Sequence, residues 1–265
     1  MKLLAEPWTL LWRRRGLLLR TAYNDLRARH AGSLLGLAWV PVYPLLLLGC
    51  YAAVYVYVFN VRFQLFNSSE YVLLIFCGLI PFLGFSEALG YGVGSVTANT
   101  GLIKNTLFPI EMVPVKAVLL GQPTQLTGLV LLLVATAIMG RISVWALMVP
   151  AIWVMQMLFT MGVVWILSSL NVYVRDLQSV VSVITLMLMM ISPIAYPVEA
   201  VPAGLRPFLS LNPLFYIIMA YQDALVLKRA SAPGSLAILA TISLVTFYVG
   251  YWFFSRLKRA FTDNV

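Results

Sequence analysis

Six long apolar stretches fill most of this chain, and the gaps between them are too short to hold an ATP-binding or metal-binding domain. The stretches are Leu34–Phe59, Tyr71–Val96, Val115–Met139, Val144–Leu170, Leu177–Ile191 and Leu236–Phe254. Most exceed the roughly 20 residues that a helix needs to cross about 30 Å of hydrocarbon. The fifth is short, and its extension through Ser192–Tyr196 would complete the crossing. The pattern predicts an all-α membrane protein with six transmembrane helices.

Composition supports this fold class. Hydrophobic residues make up 62% of the chain and charged residues 10%, whereas soluble domains are about 25% charged. We expect one six-helix membrane domain over residues 33–265, preceded by a cytoplasmic amphipathic segment over residues 1–32. Transport, gating or chemistry within the membrane are then the possible functions.

The positive charges are distributed unevenly between the two sides of six spans. Thirteen Lys and Arg residues fall on the side of the termini, and the other five fall on the opposite side. The positive-inside rule places both termini in the cytoplasm. The net charge of +9 therefore reflects topology, and we expect no nucleic-acid partner.

The chain offers no sequence pattern for a metal or a cofactor. Cys50 and Cys77 lie inside apolar stretches, and His30 is the single histidine. No phosphate-binding G-x-x-x-x-G-K-[ST] loop occurs, so a transporter driven by ATP would need another chain to bind it. Six spans without an internal repeat favour a homodimer.

Residues 1–32 combine apolar anchors with arginines, a pattern typical of a helix that lies in the headgroup plane. Arg27, Arg29 and His30 stand at the mouth of the first span. They serve either as a topology anchor or as ligands of an anionic lipid headgroup. A pyrophosphate would suit paired arginines, because their forked donors match its oxygens.

Aromatic residues recur every four positions in the first span, with one leucine in the series. They are Trp39, Tyr43, Tyr51, Tyr55 and Phe59, with Leu47 between Tyr43 and Tyr51. Rings with hydroxyl tips suit sugars, which present apolar faces and polar edges. The alternative is an interfacial belt combined with ordinary packing.

Glu87 is a carboxylate inside the second span, where ionisable groups usually face a bundle interior or a wet cavity. Gln156 is the one other strongly polar side chain that we place well inside a span. A proton relay would need further partners, so a structural hydrogen bond, within the chain or across a dimer interface, is favoured.

Two connections carry further signals. Asn99–Pro114 predicts a short helix ended by Pro109, with apolar side chains exposed for a protein partner or folded back on the bilayer. Ser192–Ser235 is proline-rich, and Asn212–Pro213 is a good helix start. The apolar run from there to Leu227 is too short to cross the membrane, which predicts re-entrant or interfacial helices that form a lid at the external end.

Five segments together resemble the permease subunits of ABC transporters that export polysaccharides, and O-antigen exporters most of all. The segments are RARHAGSLLGLAWVP (27–41), PFLGFSEAL (81–89), GLIKNTLFPIEMVPV (101–115), NVYVRDLQ (171–178) and SPIAYP with NPLFYII (192–197, 212–218). They occur in the family's order and cover nearly the whole chain. His30 stands where a tyrosine is more usual in that family.

The resemblance implies a permease in the bacterial inner membrane that is not itself an enzyme. It implies a homodimer joined to two ATPase subunits, which bind ATP and Mg, and an undecaprenyl-diphosphate-linked polysaccharide as substrate. The site residues it implies fall into four groups. ATPase coupling involves Leu102, Ile103, Lys104, Leu107, Phe108, Pro109 and Glu111, while the lipid pyrophosphate enters at Arg27, Arg29 and His30. The glycan passes Tyr43, Tyr51, Tyr55, Phe59 and Glu87, and the external gate holds Pro197, Pro202, Pro213, Phe215 and Tyr216.

Other functions remain open at this stage. An ABC permease for a capsule, a teichoic acid, a drug or a small lipid would share the architecture. An ion-coupled secondary transporter would need an ion site at mid-membrane, for which Glu87 is thin support. A membrane-embedded enzyme would need clustered carboxylates, but the nine acidic residues are scattered.

Overall fold

The computed structural model describes residues 2–54, 67–99, 101, 108–198 and 201–264, and this part of the chain forms helices joined by turns and loops, without strands. The helices are α1 (Lys2–Arg13), α2 (Arg15–Arg29), α3 (Trp39–Ala53), α4 (Ser68–Gly92), α5 (Ser95–Ala98), α6 (Met112–Ile138), α7 (Val149–Asn171), α8 (Leu177–Ile191), α9 (Arg206–Leu209), α10 (Pro213–Leu225) and α11 (Pro233–Asn264). Short 3-10 turns, Gly36–Ala38 and Val144–Met148, precede α3 and α7.

Five of the described segments are long and apolar enough to cross a membrane. They are Gly36–Ala53, Ser69–Gly92, Met112–Ile138, Val144–Asn171 and Pro233–Lys258. The protein is therefore a multi-pass membrane protein. Helix α8 has the bounds of the fifth predicted stretch, but its 15 residues extend only about 22 Å at 1.5 Å per residue. The sixth crossing stays a prediction.

Helix α4 forms the centre of the bundle. In its most apolar stretch 78% of the residues are buried, the largest share among the five spanning segments. It packs against α6 at glycines on both helices. A Cβ added at Gly121 of α6 would lie 2.8 Å from the backbone nitrogen of Ala88, and one at Gly128 would lie 2.9 Å from the Ile80 side chain. Small residues let membrane helices approach closely, which is how such bundles gain packing energy without a hydrophobic drive.

Helices α7 and α11 make a second close crossing. Gly162 of α7 and Gly250 of α11 face each other, and a Cβ on either would overlap the backbone of the opposite helix. Trp165 packs in the same seam, where its ring meets Phe247 at 5.2 Å and Tyr251 at 5.4 Å between centroids. The pairing joins the second half of α7 to the middle of α11.

The predicted amphipathic segment consists of two helices that break at Arg14. Trp8 of α1 donates from Nε1 to the Tyr248 hydroxyl at 2.8 Å, which attaches α1 to α11. Leu18 and Ala22 of α2 are buried, whereas Trp12 is 72% exposed. Helical structure is confirmed for Lys2–Arg13 and Arg15–Arg29, and the place of these helices in the headgroup plane stays a prediction.

Ion pairs identify which helix ends meet. Asp25 of α2 pairs with Lys116 in the first turns of α6, and Glu111 just before α6 pairs with Lys258 near the end of α11. These three elements therefore share one end of the bundle, which we call the α2 end. Glu70 at the start of α4 pairs with Arg141 beyond the end of α6, so this pair lies at the other end.

Helix α10 begins as predicted at Asn212–Pro213. The Asn212 side chain accepts from the Leu214 backbone N–H at 3.0 Å, and its amide donates to the Ser192 hydroxyl at 2.8 Å. The helix ends at Leu225, two residues before the predicted Leu227. Most of its residues are buried, so it packs along α4 inside the bundle.

Candidate functional site

Two cavities lie side by side at the α2 end of the bundle and share Arg29, Tyr91 and Leu120. We call one the aromatic cavity, with a volume of about 340 Å³, and the other the polar cavity, with a volume of about 390 Å³. Both fall in the size range of small-ligand sites, which are clefts of about 300–1,000 Å³.

The aromatic cavity lies between α2, α3, α4 and α6. Its lining consists of Leu26, Arg29, His30, Trp39, Val40, Tyr43, Glu87, Tyr91, Leu120, Pro123 and Thr124. Three aromatic side chains, one carboxylate and two basic groups thus face a common space. Trp39 and Tyr43 lie in the first two turns of α3, which follows directly on the 3-10 turn at Gly36–Ala38.

Glu87 sits on α4 and lines the cavity together with Thr124 of α6, with Tyr43 and Arg29 close enough for electrostatic interaction. The structural hydrogen bond expected for this carboxylate stays a prediction. A partly buried carboxylate that faces a cavity can accept hydrogen bonds from ligand hydroxyls. Glu87 therefore gives the aromatic cavity a hydrogen-bond acceptor for a ligand.

Arg29 and His30 stand where the two helices α2 and α3 meet. The guanidinium carbon of Arg29 lies 3.7 Å from the centroid of the Tyr91 ring, a cation–π contact. His30 Nδ1 lies 2.9 Å from the Leu26 carbonyl oxygen, so Nδ1 carries the proton in this bond. Arg27 lines neither cavity and is exposed.

The predicted sugar-contacting residues do not all lie together. Tyr43 and Glu87 line the aromatic cavity, but Tyr51 packs against the hydrophobic core instead. Tyr55 and Phe59 lie outside the described residues. Sequence reasoning missed Tyr91 and Thr124. Tyr91 follows Glu87 by four residues on one helix face, which was a usable signal, whereas Thr124 is brought in by helix packing alone.

The polar cavity is built around Lys116, which is 4% exposed. Its Nζ lies 2.7 Å from Asp25 Oδ2 and donates to Asn99 Oδ1 at 3.1 Å. Asn99 in turn donates to the Ser95 carbonyl at 2.8 Å. Gln178 of α8 lines the opposite wall. The sequence analysis used Lys116 only as one of the positive charges that set the topology, because no sequence pattern shows that it is buried beside α2.

The expectation that the Phe108 ring is exposed is wrong, whereas its role in ATPase coupling stays a prediction. Phe108 is 8% exposed and belongs to the hydrophobic core. Glu111 is also buried. Its carbonyl oxygen accepts from Trp165 Nε1 at 2.9 Å, and its carboxylate pairs with Lys258. Glu111, just before α6, therefore connects the start of α6 to α7 and α11.

Pro109 of the coupling group is partly buried. The other four coupling residues, Leu102, Ile103, Lys104 and Leu107, lie outside the described residues.

The sequence analysis placed Gln156 as the one strongly polar side chain, besides Glu87, well inside a span. This expectation is wrong. Gln122 and Gln125 of α6 are also buried, and Gln125 pairs with Gln156. The Tyr221 hydroxyl of α10 joins this pair. The three-residue spacing of Gln122 and Gln125 was a signal that the apolar composition of α6 hid.

The residues predicted for the external gate lie in the connection from α8 to α10 and in the first turn of α10. Pro197 is buried and Pro202 is exposed. Pro213 is the first residue of α10, and the rings of Phe215 and Tyr216 meet edge to face at 5.3 Å between centroids. Their role in gating stays a prediction.

Comparison with known proteins gives a consistent result. The sequence model of the ABC-2 type transporter family matches residues 25–226. The O-antigen export system permease protein RfbA of Myxococcus xanthus is 28% identical over 258 residues, which is 96% of this chain and 97% of that protein. Its namesake in Klebsiella pneumoniae is 28% identical over 244 residues, 91% of each chain. The polysialic acid transport protein KpsM of Escherichia coli is 24% identical over 252 residues, 89% of this chain and 92% of that protein.

Proposed function

We infer the function from the premise that this chain belongs to the ABC-2 type transporter family. We propose that it is the permease subunit of an exporter in the bacterial inner membrane, and that it moves an O-antigen-type polysaccharide from cytoplasm to periplasm. The polysaccharide is carried on undecaprenyl diphosphate. ATP is hydrolysed, with Mg, by a separate partner subunit.

The observation that carries this proposal is the composition of the aromatic cavity. Trp39 and Tyr43 offer ring faces, Glu87 offers a hydrogen-bond acceptor, and Arg29 with His30 offers positive charge at the same cavity. A lipid-linked sugar presents the complementary set, namely apolar ring faces, hydroxyl groups and an anionic diphosphate. Relatives whose names specify O-antigen export or polysialic acid transport support this substrate class.

The proposed topology has six spans with both termini in the cytoplasm, so the α2 end faces the cytoplasm and receives the substrate. Helix α8, extended through the loop that follows, makes the fifth crossing. Of its residues only Val181 is buried, and apolar side chains such as Leu186 and Met190 are exposed. A second copy of the chain would cover part of this surface in a homodimer, and α10 would re-enter from the periplasmic side.

Energy reaches the bundle through the loop before α6. The ATPase subunit docks on residues 101–107, and its closure on ATP displaces this loop. The motion passes to α7 and α11 because Glu111 bonds to both Trp165 and Lys258. Coupling of this kind requires ATPase contacts that differ between two states of the permease.

Affinity purification of the chain in mild detergent, followed by mass spectrometry of the bound proteins, tests the proposal. We expect an equimolar ATPase with a phosphate-binding loop. Export should stop when that ATPase is inactivated. Recovery of the chain alone, with transport that follows a proton gradient in vesicles without ATP, would contradict the proposal and turn attention to Glu87 as an ion site.

A further inference from the structure

Lys116 is a buried cation held by a residue of the amphipathic segment. The lysine is almost fully buried, whereas the side chain of its partner Asp25 is 41% exposed. A buried charge that loses its partner is strongly destabilised. Asp25 therefore supplies the negative charge that the buried Lys116 requires, and the pair is not an ordinary surface ion pair.

The polar cavity beside this ion pair contains donors that Asp25 does not use. Arg29 and Gln178 line it. So does Ser95, which is 4% exposed, and its hydroxyl has no hydrogen-bond partner among the described residues. Buried polar atoms in native structures are nearly always bonded. Ser95 lines the same cavity as a buried cation and a guanidinium, so an acceptor bound there would give its hydroxyl a partner after a side-chain rotation.

The charges around the cavity specify what that acceptor is. Arg29 and Lys116 contribute two positive charges, and Asp25 contributes one negative charge. If Asp25 withdraws, two cations remain for an incoming group. A phosphate group carries about −1.5 to −2 charges and three acceptor oxygens, which matches both the charge and the unused donor.

We propose that the polar cavity binds the phosphate or diphosphate group of an anionic ligand between Lys116 and Arg29. When no ligand is bound, the Asp25 carboxylate pairs with Lys116. The ligand displaces the Asp25 carboxylate, and Ser95 donates to one of its oxygens. The site adjoins the aromatic cavity, with which it shares Arg29, Tyr91 and Leu120.

The exchange links ligand binding to a movement of α2. With Asp25 on Lys116, α2 is held on α6 by an ion pair in addition to the buried Leu18 and Ala22. A ligand that takes over Lys116 removes the ion pair. Since a ligand shifts an equilibrium only by its differential affinity for two states, an anion on Lys116 favours the state in which α2 is released.

The binding test uses the full chain in nanodiscs of neutral lipid, without any ATPase. The probes are undecaprenyl phosphate, inorganic pyrophosphate and, as a neutral control, undecaprenol. Lys116→Gln should weaken phosphate binding about tenfold or more, since charge-assisted hydrogen bonds are roughly twice as strong as neutral ones. Lys116→Arg should retain binding, and Asp25→Asn should strengthen it because the competing carboxylate is gone.

A charge exchange separates this site from a structural tether. Asp25→Lys combined with Lys116→Asp restores an ion pair, so thermal stability should recover while anion binding stays lost. Recovery of both would overturn the proposal, as would unchanged binding in a folded Lys116→Gln variant. Ser95→Ala, which removes no charge, should weaken binding several-fold and serves if Lys116→Gln does not fold.

The probes also separate the two sources of the anion. Binding of undecaprenyl phosphate, but not of pyrophosphate, assigns a lipid headgroup, whereas binding of both assigns the phosphate group itself. Equal binding of undecaprenol would overturn the proposal. The site depends on the proposed function only for its use by a transported lipid. If binding follows these expectations but no ATP-driven export occurs, the proposed function fails and the anion site stands.

Discussion

The side-chain amides of Gln125 and Gln156 exchange two hydrogen bonds inside the bundle. Gln125 Nε2 donates to Gln156 Oε1 at 2.7 Å, and Gln156 Nε2 donates to Gln125 Oε1 at 3.1 Å. Gln156 Nε2 also donates to the Pro81 carbonyl at 2.8 Å, and the Tyr221 hydroxyl donates to Gln156 Oε1 at 3.3 Å. One polar network thus joins α4, α6, α7 and α10 through side chains that are almost fully buried.

Gln125→Leu should destabilise the bundle by about 1 kcal/mol, since hydrogen bonds between membrane helices contribute about 0.6–1.7 kcal/mol. Gln156→Leu should cost more, because the Pro81 carbonyl and the Tyr221 hydroxyl lose a partner as well. The measurement is the free energy of unfolding in a titration with denaturing detergent. The double variant should lose less than the sum of the two single variants.

Thr241→Val is the matched control for this network. Its hydroxyl is exposed and bonds only to the Ala237 carbonyl of its own helix. We expect this variant to unfold like the wild type. Strict additivity of the two glutamine substitutions would show that the amides do not interact, and would contradict the network.

Gly250→Ala should disrupt the crossing of α7 and α11, because the added Cβ overlaps the backbone at Gly162. Overpacking of a tight core typically costs about 1–3 kcal/mol. The measurement is the melting temperature of the purified chain. Gly234→Ala in the same helix is the control, since a Cβ there meets nothing within 4 Å. Equal melting temperatures for the two variants would contradict the close approach.

Phe108→Ala should destabilise the chain rather than remove a docking contact. The ring is buried, and truncation of a buried phenylalanine costs about 3–5 kcal/mol. Phe108→Leu, which keeps most of the volume, should cost less. The measurement is thermal stability in detergent without the ATPase. A Phe108→Ala variant as stable as the wild type, yet uncoupled from ATP hydrolysis, would restore the docking role.

Substitutions in the aromatic cavity should reduce export without loss of folding. Tyr43→Ala removes a ring that lines the cavity and is 45% exposed. Its loss should slow the export of lipid-linked polysaccharide several-fold and leave the melting temperature nearly unchanged. Tyr23→Ala is the control, because Tyr23 is similarly exposed, at 53%, and lines neither cavity. Wild-type export by Tyr43→Ala would remove the cavity from the substrate path.

The sequence predicted the helical elements well because each depends on local composition. The bounds of α8 match the predicted stretch, and Asn212–Pro213 begins α10 as expected. These features need only a run of apolar residues or a capping side chain followed by proline. The resemblance to polysaccharide-export permeases was likewise carried by segments that are contiguous in the chain.

The features that the sequence did not reveal depend on contacts between distant segments. Lys116 looked like a topology charge, since only the fold brings Asp25 of α2 over it. Phe108 looked exposed, because it lies in a short connection outside the predicted spans, but the bundle covers it. Thr124 joined Glu87 through the packing of α4 on α6. In each case the partner lies more than 30 residues away, or its burial depends on helices that follow later in the chain.

We propose above that this chain takes part in ATP-driven export of a lipid-linked polysaccharide. Reconstitution of the chain with its co-purified ATPase in proteoliposomes, followed by measurement of the transfer of undecaprenyl-diphosphate-linked glycan across the bilayer, tests this export directly. We expect transfer that requires ATP hydrolysis, fails with a non-hydrolysable analogue and slows with Tyr43→Ala. Transfer that continues without ATP, or ATP hydrolysis that moves no glycan, would contradict it.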